Sequence, residues 1–490
     1  MSDLLAGGGV LLVAAASAAA ILLPPGRRRS LAILLAIALC PVLIAGDQWH
    51  TQQIADLRHD GARIAALVAI AAASIALLAA GFRRWPTLLP LAVVAALPFR
   101  IPLHAGGDTA NLLVPLYLVI AAGAVVAAIR DWTPLPVGQA QPAGALLWLP
   151  RLLAAVVLLY SLQTLYSDDF SKGLQNVCFF LVPFTVVYGL LREVEWDRRL
   201  LTMVLWVVGV EAVLFVLIGS VEYATRSLFW NDQVIRSNEF HTYFRVNSVF
   251  WDPNVYGRYL ALVAVVATAA LLWVRERRSF WLLTGLIAVL WLGLVTTFSQ
   301  SSLIALLAGL AVLAAIRWSW RWTLAAVVVG AIGAVLVVTL VGGSGKVNFS
   351  RINIDTSGRA NLVSGGLALF GERPLQGYGS GSFQEAYRDH RENKDVPVSV
   401  SHTEPVTVAA EQGLLGLAVY TALIVVAIWT MSAGLFSSRA GPARSAVLAA
   451  FVALLVHTMS YAGFFEDPIT WVLLAVGASL AAAPAVRESA

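Results

Sequence analysis

Charge is scarce in this chain, and lysine is nearly absent from it. Only 12% of the 490 residues are Asp, Glu, Lys or Arg, and Lys172, Lys346 and Lys394 are the only lysines. With 59% of residues hydrophobic and a mean hydropathy of +0.79, soluble multidomain readings are excluded. Cysteine is as rare: Cys40 and Cys178 both fall inside apolar runs, so no metal site or redox pair built on cysteine is expected. No basic tract with interleaved aromatics stands free of the apolar runs, which removes nucleic acid as a partner. The net charge of +5 is almost entirely arginine's, and arginine's planar fork suits phosphate and carboxylate better than lysine's point charge. No acidic motif reads as a metal centre. Asp168-Asp169 in "SDDF" is the nearest approach, and two acids on a short loop are more often solvated.

What the chain has in abundance is apolar length. Runs long enough to cross a bilayer recur throughout, about 15 by this reading. They include a short one at 86–99 and a pair at 302–316 and 322–342. The first run has no basic region before it and "PPGRRRS" after it, so it is expected to be retained as a helix rather than cleaved. The fold class that follows is an all-α polytopic transmembrane bundle of about 12–15 spans. Its segments are expected at 1–85 (extra N-terminal helices), 86–342 (transmembrane core), 343–402 (outer helical loop) and 403–490 (C-terminal helices).

Arginine-rich turns set the orientation. "GRRRS" (26–30), "GFRRW" (81–85), "REVEWDRR" (192–199), "RERRS" (275–279), "RWSWR" (317–321) and "SSRAGPAR" (437–444) all fall on one side in an alternating count, which is then the cytoplasmic side. Two long segments lie on the other, near 220–253 and 343–402. The second runs to about 60 residues, too long for a mere connection. Within it "DTSGRANLVSGGLALFG" has helical apolar spacing, with Thr356 or Ser357 as cap and Gly371 as stop. "GSFQEAYRDHRENK" reads as a second, polar helix, and "GYGSGSF" as a turn that caps it. That turn lacks the Lys-Ser/Thr of a nucleotide loop.

The candidate chemistry gathers where these segments re-enter the membrane. "SHTE" (401–404) has the form of a capping box between Ser401 and Glu404. Alternatively Pro405 takes the first helical position and the helix begins slightly later. Either way His402 stands at a helix N-terminus, where imidazole is kept neutral and can accept a proton. The plainer alternative is a boundary histidine beside a routine capping glutamate. Glu411 shares a helical face with Glu404 and Thr407; it faces a polar cavity or, more simply, an arginine of a neighbouring helix. Arg359 opens the amphipathic helix of the same loop and could clamp a phosphate. "FRVNSVFWDPNVYGRYLA" places Arg245, Asp252, Asn254 and Arg258 at the other re-entry point. Mid-span ionisable residues are few, chiefly Glu211 and His457, and read as packed and hydrogen-bonded. A polysaccharide or lipid-linked glycan transporter, the competing class, is expected to carry more such groups near the midplane.

"WDPNVYGRYLA", "TTFSQSSLIALLAG", "DTSGRANLVSGGLALFGERPLQGYGSGSF" and "SHTEPVTVAAEQGLLGL" follow one another in that order. The set resembles the O-antigen ligase and polymerase family of bacterial membrane glycosyltransferases, over roughly 240–430. The resemblance implies a glycosyltransferase-C-like bundle in the bacterial inner membrane with its active site on the extracytoplasmic face. It implies metal-independent, inverting transfer of a glycan from an undecaprenyl-diphosphate carrier to a hydroxyl of a glycan, lipid or protein acceptor, with no cofactor. His402 would be the base, and Arg359 would hold the departing diphosphate, with Glu404 as a further catalytic candidate. Members commonly carry Ser-Arg where this chain has Ser299-Gln300. Arg245 or Arg258 is then expected to supply the missing charge, with Gln300, Asn254 and Glu411 in support. The family's usual twelve helices would match the last twelve spans, leaving three extra at the N-terminus. A glycosyltransferase using a polyprenyl-phosphate monosaccharide is the nearer relative to weigh. It would need an acidic base in an early outer loop, where only Asp47 and Asp56 stand.

Overall fold

The computed structural model describes residues 3–52, 55, 60–105, 108–132, 145–240, 243–341, 359–390, 400–435 and 441–482. Backbone polar groups in lipid are satisfied within a helix, so apolar runs of bilayer length become helices. In chain order these are α1 (Asp3–Leu22), α2 (Arg27–Asp47), α3 (Gly61–Arg84) and α4 (Leu88–Ala96). A short antiparallel hairpin, β1 (Ile101–Ala105) and β2 (Asp108–Leu112), leads to α5 (Val114–Trp132) and α6 (Ala145–Thr164). Then come α7 (Phe170–Asn176), α8 (Val182–Leu191), α9 (Arg198–Thr225), α10 (Asp232–Phe240), α11 (Pro253–Trp273) and α12 (Arg277–Thr297). The last group is α13 (Gln300–Ala314), α14 (Trp320–Val341), α15 (Arg359–Glu372), α16 (Phe383–Asp389), α17 (Glu404–Ser432), α18 (Pro442–Thr458) and α19 (Pro468–Ala482).

Apart from the β1–β2 hairpin, the protein is thus a helical polytopic membrane protein. Among the described residues eleven helical runs are long and apolar enough to span a bilayer, fewer than the about 15 read from the sequence. The differences have local causes. The 86–99 run yields only the nine-residue α4 before the hairpin begins. The runs 302–316 and 322–342 are one continuous helix, α13 and α14 joined through a π turn at Ala315–Ser319. "RWSWR" contains neither glycine nor proline, so nothing local ends the helix, and the π turn absorbs the misfit. A second π turn at Val177–Leu181 joins α7 to α8. Helices α18 and α19 are apolar but only 17 and 15 residues long.

Among the described residues there are two large apolar clusters, and a third, smaller one formed by Leu369, Tyr378, Phe383, Ala386, Tyr387 and Ala410. Of the large pair, one gathers α1, α2, α5, α6, α8, α17 and α19, and it takes in both Cys40 and Cys178. The other gathers α9, α11, α12 and α13. Helix α18 serves both: Val447, Leu448 and Phe451 enter the first, while Ala446, Ala449, Ala450 and Ala453 enter the second. The small residues let α11 and α13 approach closely, as in other membrane bundles. Helix α1, expected as an accessory, packs on α2, α6 and α8 within the first cluster. Helix α3 turns almost all of its apolar surface outward, as a lipid-facing span does.

Basic turns collect at one end of the bundle. Arg29, buried, lies 3.5 Å from Asp131 and 2.5 Å from Glu193, and Arg130 also reaches Glu193 at 2.5 Å. Arg317 sits 5.9 Å over the ring of Trp273, beside the 275–279 turn. Functional residues lie at the opposite ends of α11 and α13, at Asn254, Arg258 and Ser299.

There the loop after α15 is stitched into a break in α17. Gly413 interrupts the helix with φ 63° and ψ −161°, a backbone region open essentially to glycine alone. The exposed amides and carbonyls take the loop as a partner: Leu414 N donates to Pro374 O (2.7 Å), Tyr378 N to Ala410 O (3.1 Å) and Gly379 N to Glu411 O (2.8 Å). Gln163 of α6 adds a bond to Gln412 O at 3.0 Å. A Cβ on Gly413 would meet Leu375 O at 2.4 Å. Gly413→Ala is therefore expected to lower stability by about 1–3 kcal/mol from backbone strain alone. The check is the thermal midpoint in detergent, and an unchanged midpoint would remove the strain argument.

Candidate functional site

The site is assembled from four chain segments that meet at the non-basic end, joined there by the start of α15 and the turn between α18 and α19. The first is the start of α11. Asp252 accepts the N–H of Asn254 at 2.6 Å and Pro253 occupies the first turn, so the helix starts cleanly. Asn254 and Arg258, four apart, then share one inward face. Arg258 is 4% exposed, and its Nη2 lies 2.7 Å from Asp467 Oδ2 at the entrance to α19. Its Nε and Nη1 are buried with no hydrogen-bond partner among the described residues. A buried guanidinium with unspent donors is costly unless an anion takes them.

The second segment is the loop before α11. Asn238 clasps Arg245, accepting its N–H and donating to its carbonyl, each at 3.0 Å. The buried carboxylate of Glu222 accepts the N–H groups of Asn247 (3.2 Å) and Ser248 (2.7 Å), with Ser248 left-handed at φ 52°. So held, Arg245 donates from Nε to Thr297 O (2.9 Å) and from Nη2 to Asn254 Oδ1 (3.1 Å). Burial lowers its pKa; Asp252 acts the other way, and the nearby charge of Arg359 adds to the lowering.

The third segment is the start of α13. Ser299 caps this helix, and its hydroxyl donates to Asn254 Oδ1 at 2.9 Å. Ser301 and Ser302 each lie 3.3 Å from Nε2 of the fully buried His457. Gln300 stands exposed in the first turn of α13. Arg245, not Gln300, is the residue that brings a cation to the α13 N-terminus. Its Nη2 and Ser299 share Asn254 Oδ1 as acceptor.

The fourth segment carries His402. Helix α17 begins at Glu404 with Thr403 as N-cap and Pro405 second in the helix, so it starts between the two predicted positions, one residue before the later of them. The reciprocal Ser401–Glu404 box does not form. Ser401 Oγ instead accepts from Thr403 N (3.1 Å) and donates to Thr403 O (2.8 Å). The Glu404 carboxylate reaches across to the N–H groups of Gly463 (2.7 Å) and Phe464 (3.1 Å). That bond fixes the turn between α18 and α19, and the turn carries Tyr461. The Tyr461 ring lies 6.1 Å from the His402 ring, 5.9 Å from the His457 ring and 6.0 Å from the Arg258 guanidinium.

His402 itself is left-handed, φ 61°, a conformation in which histidine is commoner than most non-glycine residues. Burial pushes its pKa below the ordinary value, the charge of Arg359 pushes further, and Asp252 opposes both. The imidazole is thus neutral and basic at neutral pH. Arg359 opens α15, which packs along α17 through Gly366, where a Cβ would meet Val406 at 2.6 Å. The predicted caps of α15, Thr356 and Ser357, lie outside the described residues, as does Asp56. Helix α15 ends one residue past the expected Gly371.

Glu411 finds neither an arginine nor any other ion-pair partner among the described residues. Its carboxylate accepts the N–H groups of Gly381 (2.8 Å) and Phe383 (3.2 Å), latching the glycine-rich turn onto α17. Gly377, Gly379 and Gly381 of that turn all have positive φ, because it crosses the backbones of α17 and of the α6–α7 turn in near contact. The other acidic candidates are occupied elsewhere. Asp169 caps α7 through Lys172 N (3.0 Å), Asp168 lies 3.8 Å from Arg373, and Asp47 accepts from Ser171 (2.7 Å). Glu211 accepts from Tyr259 at 2.9 Å.

The structure therefore brings His402, Arg359, Arg245, Asn254 and Arg258 to one place, and leaves Gln300 at its exposed rim. It adds Tyr461, Asp467, His457 and Asp252 to the site. The turn "HTMSYAGFFEDP" (457–468), polar between two apolar runs, was the available signal for three of these.

Residues 285–421 match the O-antigen ligase family model. No match is found among curated proteins. The matched segment contains Arg359, the glycine-rich turn, His402, Glu404 and Glu411, while Arg245, Asn254, Arg258, Tyr461 and Asp467 lie outside it. With the apolar helices it describes a multi-pass membrane enzyme that transfers glycans, partnered in general by lipid-linked glycan and membrane lipid.

Proposed function

We propose, for a membrane chain whose residues 285–421 carry an O-antigen ligase domain, that it moves a glycan from undecaprenyl diphosphate to an acceptor hydroxyl. The reaction takes place at the outer face of the bacterial inner membrane. The observation that carries this reading is the convergence of one neutral, half-buried histidine with three arginines from separate segments, one of them with two unspent buried donor nitrogens.

In the proposed step His402 accepts the proton of the acceptor hydroxyl as its oxygen bonds the anomeric carbon of the donor sugar. The bond from that carbon to the carrier's phosphate oxygen breaks, and the electron pair leaves with undecaprenyl diphosphate. A single displacement of this kind inverts the anomeric centre. Charge growing on the diphosphate is met by Arg359, Arg245 and Arg258, aided by the N-terminus of α13. Fixed guanidinium groups supply the stabilisation that a metal ion supplies elsewhere, so transfer is expected to persist in EDTA. Glu404 and Glu411 act on backbone amides in this scheme and position the groups around the base. Ligase and polymerase share the step and differ in the acceptor.

The test is glycan transfer by purified protein in nanodiscs from an undecaprenyl-diphosphate oligosaccharide, in EDTA, with the product identified by mass. Movement of the donor between leaflets without transfer would replace this reading by the transporter.

The lowered pKa of His402 has a signed consequence. A base that stays neutral to lower pH keeps its activity further down, so turnover should be flat from pH 7.5 to the ordinary histidine value of about 6.5 and fall only below it. Arg359→Gln removes one of the two effects that lower it, and the acid limb should move upward. A limb centred above pH 7 in the wild type would contradict the assignment.

A further inference from the structure

Next to the arginine-lined site lies a cavity of about 70 Å³ that the proposed chemistry does not use. It shares two chain segments with the base. Val400 and Glu404, on either side of His402, line it, as do Ala462 and Gly463, directly after Tyr461. Its polar wall is different in kind from the donor side. Among the described residues that line it Lys172 is the one cation, with Glu404, Glu411 and Glu466 as acids and Asn176 and Gln384 as amides. Tyr160 and Phe465 add aromatic surface. Glu466 is exposed, which marks the mouth. Asn176 is 94% buried; its Nδ2 donates to the Tyr160 hydroxyl at 2.8 Å, while its Oδ1 has no partner among the described residues. That orphaned acceptor asks for an O–H or N–H donor.

We propose that this cavity binds the terminal sugar of the acceptor, and that it takes a neutral or amine-bearing sugar in preference to a uronic acid or a phosphosugar. The inference rests on the transferase reading and adds to it the acceptor's place and charge. Amide, carboxylate and ammonium groups beside aromatic faces match the hydroxyls and apolar face of a pyranose. The volume admits several water-sized groups, the hydroxyl edge of one sugar rather than a polymer. A second anion here would meet the exposed Glu466 carboxylate and the acidic groups of Glu404 and Glu411, whereas on the far side of the 400–404 turn the diphosphate meets arginines. Opposite electrostatic signs on the two sides keep donor and acceptor from exchanging places.

The test uses the full chain in nanodiscs at 150 mM salt, with the arginine side occupied by inorganic diphosphate. Saturation-transfer NMR is recorded with three probes: a glucose trisaccharide, a glucosamine trisaccharide and a galacturonic acid trisaccharide. The first two are expected to bind at least fivefold better than the third. Glu466→Lys, a change at an exposed position, is expected to remove or reverse that order. Equal binding of all three, or an order that Glu466→Lys leaves intact, would overturn the proposal. His402→Ala should keep the sugar signal while losing transfer, which separates the cavity from the chemistry. A wild type that binds these sugars but transfers nothing from the lipid-linked donor would overturn the acceptor role and the transferase reading together.

Discussion

His402→Ala is expected to reduce glycan transfer by about 10²–10⁴-fold, the usual contribution of a positioned general base. The loss should fall on turnover more than on donor binding, because the arginines that hold the diphosphate are untouched. Alanine is less tolerant than histidine of the left-handed backbone at this position (φ 61°), at a cost of about 1–2 kcal/mol. His402→Asn is the matching control: asparagine accepts the left-handed region readily but cannot take the proton. Both variants should therefore fold, and both should be inactive in single-turnover assays with preformed donor complex. If either retains transfer within threefold of the wild type, His402 is a boundary residue and the base lies elsewhere.

Arg258→Ala is expected to be the most damaging change to the fold. It removes the partner of Asp467, a carboxylate only 3% exposed, and breaking a buried pair from one side typically costs about 3–5 kcal/mol. The same guanidinium carries two donor nitrogens without a partner among the described residues, which the proposed step assigns to the diphosphate. Two effects must then be told apart. Arg258→Lys keeps a cation beside Asp467 but loses the planar fork that grips a phosphate, so it should retain most of the thermal stability while raising the KM for donor roughly tenfold, as expected when one charge-assisted contact of about 1.4 kcal/mol is lost. Replacing Arg258 and Asp467 together by leucine should recover much of the stability and none of the donor affinity. An Arg258→Ala protein that melts with the wild type would show the pair to be incidental. A Lys variant with unchanged KM would remove Arg258 from the diphosphate site.

The helical bundle was legible in the sequence because its cause is local. A run of apolar residues carries its own length, and length decides whether it spans. Continuity was less legible. The arginines and tryptophans of "RWSWR" look like a loop by polarity, yet they contain no residue that ends a helix, and α13 and α14 run on through a π turn. The match of 285–421 to the O-antigen ligase family covers motifs that could be named in advance, from "SGRANL" to "SHTEP". It leaves out Arg245, Arg258 and the 457–468 turn.

The partners of the acidic residues were the least legible feature. Glu404 was expected to face Ser401 three residues away, and it holds amides 59 and 60 residues on. Glu411 was expected to face a polar cavity or an arginine; it holds the glycine-rich turn at the edge of a cavity and has no arginine paired with it among the described residues. Short-range pairing is written in spacing, and long-range pairing is written only in the packing of helices.

By itself, then, the sequence determined that the chain lives in a membrane as helices, that its cations are guanidinium groups, and that a histidine and an arginine share one long loop. Composition and local spacing suffice for these. Only the tertiary structure decided that Gly413 breaks α17 to receive that loop, that Arg245 and not Gln300 brings charge to the start of α13, and that Tyr461 stands between His402, His457 and Arg258. These depend on which helix ends are brought together, and that is settled by the burial of whole helical faces. No window of neighbouring residues contains that information.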